Sequence, residues 1–266
     1  IIRGLVGSEM CIRDRTYPLA WTFGLNGSGV VVGVADTGID SDHSCFRNIS
    51  SSSIGYEHRK LLHVNTTIDD WDSSGHADYR HGTHTAGILG CHPVDTATGN
   101  VAPSAMMALG YDTRLVVQDI VSDDGWVPPD VDLLLAESAM YGGFIHSNSW
   151  GDDTTDYTLR SGDFDAFTRE FPWTLPLIAP GNNGERVLEP ANARNVVAVG
   201  ASTKDDVTER WVGSVHGPTD SDTRGIFALA PGASIVSARS DGVPDSYNSG
   251  QHTLSGTSMS TPMAAS

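Results

Sequence analysis

The sequence predicts an α/β protein of three layers: a mostly parallel β-sheet flanked by helices. Three observations carry this expectation. Short apolar runs alternate with helical segments from Trp21 onward, the order expected of parallel strands joined by crossover helices. The runs show little alternation of polar and apolar residues, as expected of strands buried on both faces. A length of 266 residues suits one large α/β domain and a sizeable core. The predicted strands are Val30 to Ala35, Leu115 to Ile120, Ile145 to Ser149, Thr174 to Ala179 and Val196 to Ala201. Helices are predicted at His81 to Leu89, Pro129 to Tyr141 and Tyr157 to Phe171, the second opening with Pro129 and Asp130 as helices often start. The Ser run at 50–53 and the polar stretch 203–225 read as surface loops.

Residues 1–15 fit none of this. The run Leu5 to Arg15 has neither the apolar centre nor the cleavage pattern of a signal peptide, and no helix or strand period. Back-translated, Met10-Cys11-Ile12-Arg13-Asp14 matches the end of a sequencing-library adapter, so 1–15 are read as an artefact and 16–266 as one domain. The last helical segment stops at Ser266, so the domain is expected to be truncated at its C-terminus, with the native N-terminus missing too.

Composition excludes several classes. Lys plus Arg is 16 against 33 for Asp plus Glu, a net charge of −17, so nucleic acid and anionic lipid surfaces would repel the chain. No run of about 18 apolar residues is present to span a bilayer. With Cys11 set aside, Cys45 and Cys91 remain, a disulfide in a secreted protein or two buried thiols in a cytosolic one. Sequons at Asn26, Asn48 and Asn65 fit a secreted glycoprotein.

Four places carry candidate chemistry. Val34-Ala35-Asp36-Thr37-Gly38-Ile39-Asp40 puts the Asp36 carboxylate at the C-terminal edge of a buried strand, where α/β sheets place their ligands. Taken alone, Asp36 also reads as a turn residue. The rival Asp-Thr-Gly of aspartic peptidases needs two such loops, and only one is present. His81, in Arg80-His81-Gly82-Thr83-His84-Thr85-Ala86-Gly87, stands at the mouth of a helix as a candidate general base. A zinc cluster of His76, His81 and His84 is the alternative, without the accompanying ligands of known zinc motifs. In Ser255-Gly256-Thr257-Ser258-Met259-Ser260-Thr261-Pro262, Ser258 would project from a helix N-terminus whose first turn includes Pro262. In Ala179-Pro180-Gly181-Asn182-Asn183-Gly184, a strand ends in the Asn182 amide, which could donate to an oxyanion.

Together these give Asp, His, Asn and Ser in chain order, the triad order of subtilisin. Over residues 19–266 the sequence resembles the subtilisin-like serine peptidases, with D-T-G-I-D, H-G-T-H-x-A-G, N-S-W-G, G-N-x-G, N-V-V-A-V-G-A, A-P-G and G-T-S-M-S-T-P in order. The large eukaryotic and protist members look more similar than the small bacterial enzymes. The resemblance implies a serine endopeptidase with Asp36, His81 and Ser258 as triad and Asn182 in the oxyanion hole. It implies broad recognition of protein or peptide substrates by backbone pairing along Ser149-Trp150-Gly151, with a primary pocket walled by Ala179, Pro180 and Gly181, running on near Leu188 and Glu189, and narrowed by Leu188. It further implies secretion, an N-terminal inhibitory pro-segment in the precursor, and no required cofactor. Where bacterial relatives carry an Asp ligating a structural calcium, this chain has Cys45, so that site is expected to be missing. Pro180 and Val215-His216-Gly217-Pro218 also depart from the family pattern. The competing reading is a non-catalytic subtilase-like module that binds peptides.

Overall fold

Every neighbouring pair in the main sheet is parallel, which explains why its strands read as plain apolar runs. The computed structural model describes residues 19–49, 53–68, 72, 78–95, 106–204, 206 and 208–266. Residues 1–15, His76 and most of the Ser run at 50–53 lie outside them. In chain order the strands are β1 (Val31–Asp36), β2 (Leu61–Asn65), β3 (Arg114–Asp119), β4 (Val121–Ser122), β5 (Gly125–Trp126), β6 (Ile145–Asn148), β7 (Leu175–Ile178), β8 (Val197–Ser202), β9 (Ala228–Pro231), β10 (Ile235–Ala238) and β11 (Gln251–Leu254). The helices are α1 (Leu19–Thr22), α2 (His81–Gly90), α3 (Val131–Met140), α4 (Leu159–Glu170) and α5 (Thr257–Ala265).

Seven strands line up as β2-β3-β1-β6-β7-β8-β9, with β4/β5 and β10/β11 as separate antiparallel hairpins. From β1 the chain crosses to the edge strand β2, comes back to β3 beside β1, and then passes to β6 on the other side of β1. The switch therefore falls between β1 and β6, and α/β sheets bind ligands at the carboxyl ends of strands flanking such a reversal. Alternate β1 side chains serve two cores. Val32 and Val34 pack with Ala86 and Leu89 of α2, while Ala35 packs with Leu134 and Leu135 of α3 and Phe164 of α4. Met259 and Met263 extend the α2 side beneath β7 and β8 through Leu177 and Val199. The three-layer expectation holds: α2 and α5 cover one face, α3 and α4 the other.

The five strands predicted from apolar runs are present, with ends shifted by a residue or so. The predicted helices also form. The second begins at Val131 with Asp130 as its N-cap residue, leaving Pro129 outside, and Thr158 starts α4 by accepting a hydrogen bond from Ser161 N. Both sheet edges were absent from the sequence reading. β2 carries a register shift between Leu61 and His63, and β9 is half exposed and ends in Pro231, features that edges tolerate and that blur a strand pattern.

Cys45 and Cys91 are bonded to one another, with Cα atoms 4.5 Å apart, which decides between the two readings of that pair. Among the sequon asparagines, Asn65 donates its amide to both Glu137 carboxylate oxygens at 2.8 and 2.9 Å, and Asn26 donates to Asp112 at 2.8 Å. Among the described residues no helix is long and apolar enough to cross a membrane.

Candidate active site

The end of β1 and the start of α2 are laced together by side chains from both motifs. Asp36 is fully buried, and its Oδ1 accepts from His81 Nδ1 at 2.7 Å and from Thr37 N at 2.8 Å. Thr85, one turn along α2, donates to Asp36 Oδ2 at 3.2 Å. Thr37 Oγ1 accepts from Gly82 N at 2.7 Å, and Thr83 Oγ1 accepts from Asp40 N at 2.9 Å. Gly82 is required by proximity, since a Cβ there would stand 2.2 Å from Gly38 O. Burial works against a charged His81 ring, but the charge and hydrogen bond of Asp36, with Asp72 and Asp78 farther off, outweigh it and hold the pKa above the ordinary histidine value.

Asp72 is a participant the sequence did not reveal. Buried nine residues before His81, it accepts from Thr37 Oγ1 at 2.9 Å, Arg80 N at 2.7 Å and Thr83 N at 3.0 Å. It therefore caps α2 from a distance, satisfying amides that the helix start leaves unpaired. No local capping pattern announces this.

Opposite, Ser258 is the second residue of α5, its backbone N–H among those a first turn leaves free. Its hydroxyl donates to Ser149 O at 3.2 Å. Pro262 lies inside α5 rather than in its first turn, a correction to the sequence reading. A proline there cannot donate to the carbonyl four residues back, which is that of Ser258. Ser149 Oγ fills the gap by donating to Ser258 O at 2.9 Å, tying the end of β6 to the serine.

Asn182 follows β7, and its Oδ1 accepts from Thr257 N at 2.8 Å and Thr257 Oγ1 at 3.1 Å. With the carbonyl end so occupied, the Nδ2 amide remains to donate elsewhere. Gly256 lies alongside, where a Cβ would stand at ordinary contact distance, 3.4 Å, from Asn182 Nδ2.

His81, Ser258 and Asn182 line one cavity of about 370 Å³, together with Ser149, Trp150, Gly151, Ala179, Gly181 and Leu188. Pro180, expected in the pocket wall, is buried behind it, where its carbonyl accepts from Leu188 N at 2.9 Å. The other wall includes Trp126 of β5, which the sequence reading overlooked; its ring stands edge-on to His81 at 6.4 Å and its Nε1 donates to Asp78 at 3.0 Å.

The metal readings fare differently. His84 points away from His81, its Nε2 facing Ile235 O at 3.2 Å and His252 O at 3.3 Å, so the two rings do not converge on one ion. Cys45 is engaged in its disulfide with Cys91. Among the described residues no group of three or more His, Cys, Asp or Glu is arranged to hold a metal.

Comparison with known proteins agrees with this geometry. The model of the subtilase family matches residues 27–266. Over 190 residues the chain is 32% identical to the serine protease/ABC transporter B family protein tagD of Dictyostelium discoideum, covering 66% of this chain and 10% of that protein. It is 30% identical over 251 residues to Subtilisin-like protease 4 of Trichophyton rubrum, covering 90% of this chain and 51% of that one. Among solved structures, the protease domain of PatA superposes with a TM-score of 0.64 at 25% identity, covering 91% of this chain and 78% of that one. The chain thus spans from a tenth to about half of the curated relatives named here. With the family model covering all but its N-terminal stretch, the chain belongs to the subtilase family and is a subtilisin-like serine-type endopeptidase domain.

Proposed function

We propose that Ser258 is the nucleophile of this domain, His81 its general base and acid, Asp36 the group that orients His81, and Asn182 an oxyanion donor. The observation that carries this reading is a histidine held at 2.7 Å by a buried carboxylate, in the cavity that also contains a serine at a helix N-terminus. Substrate entry turns the Ser258 hydroxyl from Ser149 O toward His81 Nε2; catalytic hydrogen bonds are often long or misdirected before substrate binds. Ser258 Oγ then attacks the peptide carbonyl as His81 takes its proton, and His81 returns that proton to the leaving amine as the acyl-enzyme forms. Water, activated by His81, hydrolyses the ester. Asp36 keeps the Nδ1–H tautomer and stabilises the imidazolium, while the Ser258 N–H and Asn182 Nδ2 meet the oxyanion.

Protein or peptide substrates pair as an added strand along Ser149 to Gly151, which gives broad recognition through the main chain. Leu188 narrows the pocket: a Cβ at Gly181 would lie 2.6 Å from its Cδ1, so the leucine packs across that wall. The disulfide supports an oxidising compartment, and we place the parent protein in the secretory pathway with an inhibitory pro-segment.

Fluorophosphonate labelling of the complete parent chain tests the reading, with Ser258→Ala and His81→Ala as controls and circular dichroism to verify folding. Labelling lost in both variants is the expected result. A folded, processed wild-type protein that takes no label would overturn the catalytic reading in favour of a peptide-binding module.

A further inference from the structure

The charges around the cavity do not balance. Among the described residues, Arg160 supplies the one Lys or Arg side chain of the lining, against four carboxylates, those of Asp78, Asp152, Asp153 and Glu189. Nor is its charge free for a ligand. Arg160 Nη1 is shared between Asp152 Oδ2 at 3.0 Å and Glu189 Oε2 at 3.1 Å, and its guanidinium lies 5.5 Å from the Trp150 ring centre. Glu189 is 1% exposed and is held further by Thr158 Oγ1 at 2.8 Å. A buried carboxylate of this kind needs a full countercharge, and Arg160 is placed to provide it. What remains at the mouth is an excess of negative charge from Asp152, whose side chain is 64% exposed, and from the exposed Asp153.

Shape points the same way. Leu188 lies close against Gly181 and gives the cavity an apolar wall along which an aliphatic stem can run. The net charge of −17 adds a long-range attraction for cationic substrates.

We infer that this cavity selects a lysine or arginine side chain on the acyl side of the scissile bond, with Asp152 and Asp153 as the specificity-determining residues. The inference rests on the proposed catalytic reading for the position of the scissile bond. The substrate stem would run along Leu188, and its cationic head would reach the Asp152 and Asp153 carboxylates at the rim, leaving the Arg160–Glu189 pair intact.

The test uses the full parent chain and peptides that differ only in the residue before the cut: lysine, arginine, norleucine, phenylalanine or glutamate. At low ionic strength kcat/KM for lysine should exceed that for the isosteric norleucine by about tenfold, the scale of one close charge pair at a protein surface, and the ratio should shrink as salt rises. Asp152→Asn with Asp153→Asn should bring the ratio within about threefold of unity, each single change giving a partial loss. A preference for phenylalanine or glutamate, or a lysine preference that survives the double variant, would overturn the inference. Calorimetric binding of the same peptides to Ser258→Ala reads the charge preference without turnover. A wild-type protein that labels and cleaves without preferring lysine refutes the charge selection alone. One that takes no label, while the Ser258→Ala form still binds the lysine peptide more tightly, refutes the nucleophile alone.

Discussion

At the residue scale the sharpest consequences belong to His81 and its partners. A general base works only when neutral, so kcat/KM should fall as pH drops through the His81 pKa, and the contact with Asp36 puts that midpoint above 6.5. The same contact contributes to stability with the opposite dependence. Because the folded pKa is raised, its contribution is present below the unfolded value and is lost as pH rises through the folded one. Asp36→Asn should move the acid limb down and reduce kcat by about 10⁴, the cost of losing the correct tautomer in another serine peptidase. A pH–rate profile of both proteins measures each effect. Asn182→Ala should slow turnover by about 10²–10³ without abolishing it, a magnitude established on subtilisin, of this same family. An effect below about threefold would remove Asn182 from the oxyanion site.

Between elements, two contacts tie the recognised motifs to residues outside them. Asp72 caps α2 and holds Thr37 against it, so Asp72→Ala strands the buried Thr83 amide and removes the partner of the half-buried Arg80 amide. The expected loss is about 3 kcal/mol by chemical denaturation, with a fall in kcat as His81 loses its seat. The second contact joins the segment after β1 to the connection between β10 and β11. Asn248 donates to Asp40 Oδ2, Tyr247 N donates to Asp42 at 3.2 Å, and Ser44 N donates to Asn248 O at 2.9 Å. Burial, then the neighbouring Asp42, push the Asp40 carboxyl up to about 7. The folded state therefore holds a proton that the unfolded chain releases near pH 4, and this site's contribution to stability falls as pH rises from about 4 to about 7. Asp40→Asn should flatten that part of the stability profile, measured by urea unfolding at intervals across the range.

For the whole molecule, the disulfide closes a loop of 46 residues between the segment after β1 and the end of α2, and so ties together the two elements that carry Asp36 and His81. The chain-entropy account gives about 4 kcal/mol for a loop of that size. Cys45→Ala with Cys91→Ala should lose about 2–4 kcal/mol by calorimetry and lower the temperature at which activity is lost.

The sheet that positions the site was legible because its central strands are buried on both faces, which forces apolar runs such as Leu115 to Ile120. The edges β2 and β9, exposed on one side, carry no such constraint. The motif residues Asp36, His81, Asn182 and Ser258 could be read because they sit among glycines and threonines, some of them demanded by close approach or backbone angle, as Gly82 is against Gly38 O and Gly181, at φ +116°, is beside Asn182. Local sterics write themselves into adjacent letters. Asp72, Trp126 and the pairing of Arg160 with Glu189 left no such mark, because each acts across a distance closed only by folding. The sequence by itself determined the layers, the family and the identity of the candidate catalytic groups. The tertiary structure alone decided the pairing of Cys45 with Cys91, the displacement of Pro180 from the pocket wall, the distant cap on α2 and the charge of the cavity, since these depend on which surfaces meet once the chain is packed.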